Sequence, residues 1–136
     1  MPERAVVNAS PVIFLAKAGM IHSLQQAAPH ILVPAAVAQE ISRRGRGDIT
    51  ARTLAGTSWL ATVEVPAIPP LIQAWDLGPG ESAVLAYAHA HPGVVAIIDD
   101  GAGWRCAETL GEAAAQAGAH GLKIQTYTPI IFMEKA

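Results

Sequence analysis

The sequence predicts an α/β protein, a three-layer α/β/α sandwich around a mostly parallel central sheet. Three observations carry that expectation. Short β-type runs alternate with helix-patterned segments along the chain. The run Val94 to Ile98 is apolar without a break, as suits a central parallel strand covered on both faces. Helix punctuation recurs between the strands, with Ser10-Pro11, Pro34 and Pro79 at helix starts and Pro92 at a stop.

The elements follow in order. Ala5 to Val7 is a short strand. A helix starts at Ser10, with Ser10 as N-cap, Pro11 in the first helical position, and Val12, Leu15 and Ala16 on one face. Ile21 to Ala28 is a second short helix, His30 to Val33 a strand, and Pro34 to about Arg43 a helix. Arg43 to Asp48 is a loop, and Ile49 to Ala55 a short helix. Trp59 to Val65 alternates as an edge strand does, and Ile68 to Trp75 forms a turn or two of helix. A strong helix runs from Pro79 to the stop at Pro92, followed by the strand Val94 to Ile98. Gly101 to about His120 is a long helix, and Leu122 to Tyr127 a last strand. No repeat, linker or low-complexity tract divides the chain, so residues 1–136 are expected to form a single domain.

Composition excludes several function classes. The net charge of −2 gives no global basic field for nucleic acid, so any such contact must be local. One cysteine, Cys106, builds no disulfide framework and fits a reducing, cytoplasmic setting. No apolar run reaches the roughly 18 residues of a membrane helix, and no signal peptide is visible. Hydrophobic residues make up 51% and charged residues only 15%, so part of the surface is expected to be covered by a second copy in a homodimer.

The chemistry is carried by acids in awkward places. Glu81 is followed by Val84, Leu85 and Ala88 on one helical stripe, so it begins the buried face. It also stands in the first turn, about the third position, where the macrodipole favours an anion. Its ordinary alternative is a capping carboxylate turned to water. Glu40 borders the stripe of Val37 and Ile41, where a solvated rim is the default. Asp99 and Asp100 directly follow the strand Val94 to Ile98. Adjacent acids repel unless water, a cation or Arg relieves them. Turn chemistry explains one Asp more easily than two.

Asn8 ends a different strand. If the two strands are parallel, Asn8, Glu40, Glu81, Asp99 and Asp100 converge on the crevice at the strands' carboxyl ends, where ligands of open α/β sheets bind. Such an oxygen-rich set suits a hard divalent cation, Mg²⁺ or Mn²⁺.

With those residues in hand, the order "VVNASPVIFLAK", "ILVPAAVAQEI", "DLGPGESAVLAYA" and "VVAIIDDGAGWRCAE" resembles a PIN domain. More narrowly, it resembles the branch of VapC-like predicted ribonucleases whose first motif reads Asn/Asp-x-Ser-Pro. The resemblance spans about residues 5 to 110. It implies a PIN-like fold and a metal-dependent cut in single-stranded RNA. Its site residues fall on Asn8, Glu40, Glu81 and Asp100, with Asp99 able to share the last role. Ser10 supports the site with its hydroxyl, and Arg105 braces the carboxylates or meets a phosphate. The toxin role it implies brings an antitoxin as partner. Two departures stand out. Many PIN domains carry Asp where Asn8 stands, and Asn keeps an oxygen ligand but loses a charge. The stretch Gln125 to Pro129 replaces a "GTLG"-type segment.

Other features carry weaker signals. Arg43, Arg44 and Arg46 form a basic loop suited to RNA phosphates, or equally a solvated helix end. His89 and His91 lack metal-ligand spacing. Trp104 lies nearest the acids and could stack on a base. The glycines after Asp100 do not spell a dinucleotide fingerprint, since Cys106 stands where one needs Gly. Three readings remain open at this point: a metal nuclease, a non-cutting module that binds RNA or a protein partner, and an unrelated α/β domain whose acids are caps and turns.

Overall fold

The computed structural model describes residues 2–98, Arg105 and residues 123–126. The chain runs β1 (Arg4–Val7), α1 (Ala9–Lys17), a 3-10 turn (Ile21–Gln26), β2 (His30–Pro34), α2 (Ala35–Ser42), α3 (Ile49–Gly56), β3 (Leu60–Val63), α4 (Pro70–Gln73), α5 (Pro79–Ala90), β4 (Val95–Ile98) and β5 (Lys123–Thr126). The strands form one sheet in the order β3-β2-β1-β4-β5, and every pairing is parallel. The α/β class and the parallel sheet therefore stand as the sequence predicts.

The run Val94 to Ile98 supplies an interior strand, as its unbroken apolarity predicts. β1 occupies the middle of the sheet, and β4 lies between β1 and β5. Both are fully lined with buried residues apart from Arg4. β3 is one edge, and its burial drops accordingly at Ala61 and Thr62.

The chain leaves β1 toward β2 and β3, then crosses back to place β4 on β1's other side. The switch point thus falls between β1 and β4, and the crevice outside their carboxyl ends is the fold's natural site. The core is aliphatic, built from Val6, Val7, Ile31, Val33, Ile97 and Ile98 of the strands with Leu15, Val37, Ile41 and Leu85 of the helices.

Local chemistry moves some boundaries. The first helix is capped by Asn8 and not Ser10, and it starts at Ala9. Pro11 consequently sits at the third position, where its missing N–H is still an orphan donor and costs nothing. Ile21–Gln26 is a 3-10 turn in place of an α-helix. Pro34 ends β2 and caps α2. The expected helix after Gly101 lies outside the described residues, except that Arg105 is helical and exposed. Among the described residues no helix is long and apolar enough to cross a membrane.

Candidate active site

Asn8 stands where β1 becomes α1. Its N–H donates to the Ile97 carbonyl at 3.1 Å, which extends the β1–β4 ladder one step past Val7. Its backbone is extended, as an N-cap requires. An Asn in that position usually bonds the N–H groups of the first turn. This one makes no capping bond. Its side chain is buried, with 7% exposure, and Nδ2 donates to Glu81 Oε1 at 3.4 Å. The bond is long, so it contributes less than a well-formed one. Its direction still decides what the amide does: a buried Asn that forgoes its helix is committed to Glu81.

Glu81 arrives by a separate route. Gly78 caps α5 with extended backbone and Pro79 takes the first helical position, so Glu81 is third. From Ser82 to Ala88 the helix is buried without interruption, which anchors its first turn against the sheet. Gly80 makes the approach possible. A Cβ there would stand 3.1 Å from Val37 Cγ2 and 3.4 Å from Asn8 Oδ1. Its hydrogen lets α5, α2 and the end of β1 meet at one point. The helix N-terminus adds positive potential under the Glu81 carboxylate.

The other expected site residues are distributed unevenly. Glu40 is exposed on α2, one turn beyond Val37. Ser10 is exposed in the first turn of α1. Arg105 is exposed. Asp99 and Asp100 lie outside the described residues, as do Trp104 and Cys106. Among the described residues, no three His, Cys, Asp or Glu side chains gather as a metal site. The described part of the crevice supplies oxygen donors from Asn8 and Glu81, the hard-ligand chemistry a divalent cation prefers.

The arginine loop is built for a different purpose at one of its members. Asp48 caps α3, accepting from the Thr50 N–H at 2.9 Å and the Ala51 N–H at 3.2 Å. Arg44 Nε donates to the same Oδ2 at 3.1 Å. Desolvation pushes the Asp48 carboxyl up, but the Ala51 N–H, the Arg44 guanidinium and the Thr50 N–H together outweigh it and hold the group below the usual carboxylate range. Arg44 is therefore occupied, while Arg43 caps the end of α2 and Arg46 stays exposed.

A PIN-domain family model matches residues 4–114. The chain belongs to the PIN-domain family. Comparison with curated proteins returns no match. The matched span starts with β1 and covers the strand ends that carry Asn8 and Asp99-Asp100. PIN domains are generally nucleases and typically use divalent metal ions, so the oxygen chemistry of Asn8 and Glu81 fits the group the family employs. Sequence reasoning missed Gly80, whose role depends on a helix 43 positions earlier in the chain, Val37 being its contact.

Proposed function

We propose that this PIN domain is a metal-dependent endoribonuclease of VapC toxin type that hydrolyses phosphodiester bonds of single-stranded RNA. The observation that carries the reading is the meeting of Asn8 and Glu81 beside the β1–β4 switch point. Two residues 73 positions apart are brought together where an open α/β sheet does its chemistry. Asp99 and Asp100 continue the chain directly from Ile98, the last residue of β4. Glu81, Asp99, Asp100 and Glu40 would hold the Mg²⁺ or Mn²⁺. When bound, the cation supplies an activated water and neutralises charge on a phosphate oxygen.

The chain's own residues do the rest. Glu81 offers a carboxylate oxygen, kept in place by the buried body of α5. Asn8 holds that carboxylate through its amide. The apolar floor of Val7, Ile97 and Ile98 keeps the crevice from opening into the core. In the toxin role, an antitoxin would quiet the site by placing an Arg among its acids.

A second reading, a non-cutting module that binds RNA or a protein partner, is favoured by the neutral donor at Asn8. An amide facing Glu81 satisfies that carboxylate without any cation. The test is cleavage of a mixed single-stranded RNA pool with Mn²⁺ by wild type, Asp100→Asn and Asn8→Asp. Cutting by wild type and not by Asp100→Asn supports the nuclease. A silent wild type with cutting gained in Asn8→Asp assigns the weakened module. Silence in all three, without metal binding, refutes both metal readings.

A further inference from the structure

The backbone does not require a glycine at position 80. Among the described glycines, Gly19, Gly45 and Gly93 have positive φ, where a side chain would be strained. Gly80 has no such angle, lies in the first turn of α5 and is buried. Alanine is the better helix former. Space is what favours glycine here. Of the described glycines, Gly80 is the one whose added Cβ would meet another atom within 4 Å.

The two neighbours of that Cβ differ in what they tolerate. Asn8 Oδ1, at 3.4 Å, would be in ordinary contact. Val37 Cγ2, at 3.1 Å, would be closer than the roughly 3.5–4.0 Å at which carbon atoms rest, so one side must give by a few tenths of an ångström. Val37 is poorly placed to give. It is fully buried, and a β-branched side chain in a helix keeps one strongly preferred rotamer. Its own Cα stands 3.8 Å from the same point. The first turn of α5 is therefore the part that moves, and Glu81 moves with it.

The link between Asn8 and Glu81 has no slack to absorb such a movement. Nδ2 reaches Oε1 at 3.4 Å, beyond the usual range that ends near 3.2 Å, and at about 3.6 Å no bond remains. The two arms of the Asn8 amide meet consecutive residues of α5. Oδ1 lies beside Gly80, and Nδ2 donates to Glu81. A shift of a few tenths of an ångström that relieves Val37 is enough to separate the pair.

We propose that Gly80 is a positioning residue: the methyl-sized gap it leaves against Val37 sets the spacing of Asn8 and Glu81, and through that spacing the affinity of the crevice for a divalent cation. The cation half rests on the metal reading given under the proposed function. Gly80 offers no ligand of its own and acts through Glu81. Loss of a group that orients a metal ligand typically costs roughly 10–100-fold in metal affinity.

The experiment titrates Mn²⁺ alone, by isothermal calorimetry, into wild type, Gly80→Ala, Gly80→Ala with Val37→Ala, and Gly56→Ala. The Asn8 side-chain amide resonances of each protein are recorded in EDTA. Gly80→Ala is expected to bind Mn²⁺ about tenfold more weakly and to show displaced Asn8 resonances. Val37→Ala removes the atom that the new methyl strikes, so the double variant is expected to recover both toward wild type. Gly56→Ala makes the same exchange in open space at the end of α3 and is expected to change neither. A merely structural glycine would move the unfolding midpoint in EDTA and leave the Mn²⁺ affinity of the folded protein alone. Equal Mn²⁺ affinity in Gly80→Ala overturns the proposal, as does a loss that Val37→Ala does not repair. Should Gly80→Ala not fold, a folded double variant with wild-type affinity supports the proposal, and a double variant that also fails overturns it. The metal reading fails separately. A wild type that binds Mn²⁺ beside an unaltered Gly80→Ala refutes only the positioning role. A wild type that binds none refutes the metal reading, and the Asn8 resonances in EDTA still decide whether Gly80 sets the pair.

Discussion

Asn8→Asp replaces a donor to Glu81 with a second carboxylate. The present bond spans 3.4 Å. Two unit charges at that spacing repel by about 5 kcal/mol at an effective dielectric of 20, and by about 1 kcal/mol in bulk water. Asn8 is buried and Glu81 half-buried, so the pair lies between those limits. The lost hydrogen bond adds up to about 1 kcal/mol, and proton uptake limits the total. Without metal at pH 8, the variant is expected to be roughly 1–4 kcal/mol less stable than wild type. Urea unfolding in EDTA reads this as a lower midpoint at unchanged slope. The sign with pH follows from linkage. Mutual repulsion raises a carboxyl's folded pKa above its unfolded value of about 4. The native state then binds more protons, so the deficit grows as pH rises through that raised value and shrinks below it. Mn²⁺ reverses the order. A cation held by both carboxylates stabilises by about 2.7 kcal/mol at one hundred times its Kd. The midpoint of the variant is therefore expected to rise further with Mn²⁺ than that of wild type. Equal midpoints in EDTA, together with equal responses to Mn²⁺, would show that position 8 and Glu81 share no site.

Three further perturbations test the frame around that pair. Gly80→Val forces a branched side chain against Val37 Cγ2, already 3.1 Å from an added Cβ, and overpacking of this kind costs about 1–3 kcal/mol. Thermal unfolding measures the loss, and an unchanged Tm would refute the close approach. Thr50 Oγ1 is buried without a hydrogen-bond partner among the described residues. Thr50→Val removes that polar atom at similar shape and is expected to stabilise by about 1–2 kcal/mol in urea unfolding. A lower midpoint would mean that the hydroxyl has a partner. Asp48→Ala removes the α3 cap and the Arg44 pair together and lowers the unfolding midpoint, whereas Asp48→Asn keeps capping ability and loses less. Because the folded Asp48 carboxyl is held below its usual range, its contribution is present above the unfolded pKa of about 3.9 and disappears as pH falls through the folded value. The gap between wild type and Asp48→Ala therefore closes in acid, and a gap that widened there would contradict the assignment.

The parts legible in the sequence share one property: their signal is local. Strand and helix order followed from periodicity and from proline placement, and Glu81 falls at the third position of α5 as its spacing from Pro79 requires. What sequence left hidden depends on distant neighbours. Val94 to Ile98 reads as a central strand because it is apolar without a break, and β4 is indeed interior, but nothing local shows that the three residues Ala5, Val6 and Val7 hold the middle of the sheet. Run length reports burial on both faces, and both β1 and β4 have that; strand order is set by crossovers, which leave no local mark. Ser10 resembles an N-cap as strongly as Asn8 does. Ladder pairing of Asn8 to Ile97 settled the boundary two residues earlier. Arg44 and Arg46 look alike in "RRGRGD", and only the cap at Asp48 separates the paired one from the exposed one.

The role of Asn8 turns on what an amide offers that a carboxylate does not. Nδ2 donates to Glu81, so the acid is satisfied and the fold is not charged against itself when no cation is present. The same side chain carries Oδ1, an oxygen ligand, on the other arm of one planar group. Rotation about its last torsion exchanges the two arms, and that torsion is broad and roughly two-fold. An Asp in this position would bind the cation more strongly and would have to be stabilised by it. An Asn gives a site that is stable empty and ligates weakly. Weak ligation and a stable empty state suit a nuclease that must be held silent until its partner is lost, and they equally suit a module that grips RNA without cutting. Metal affinity at Glu81, more than the fold, therefore separates the two readings.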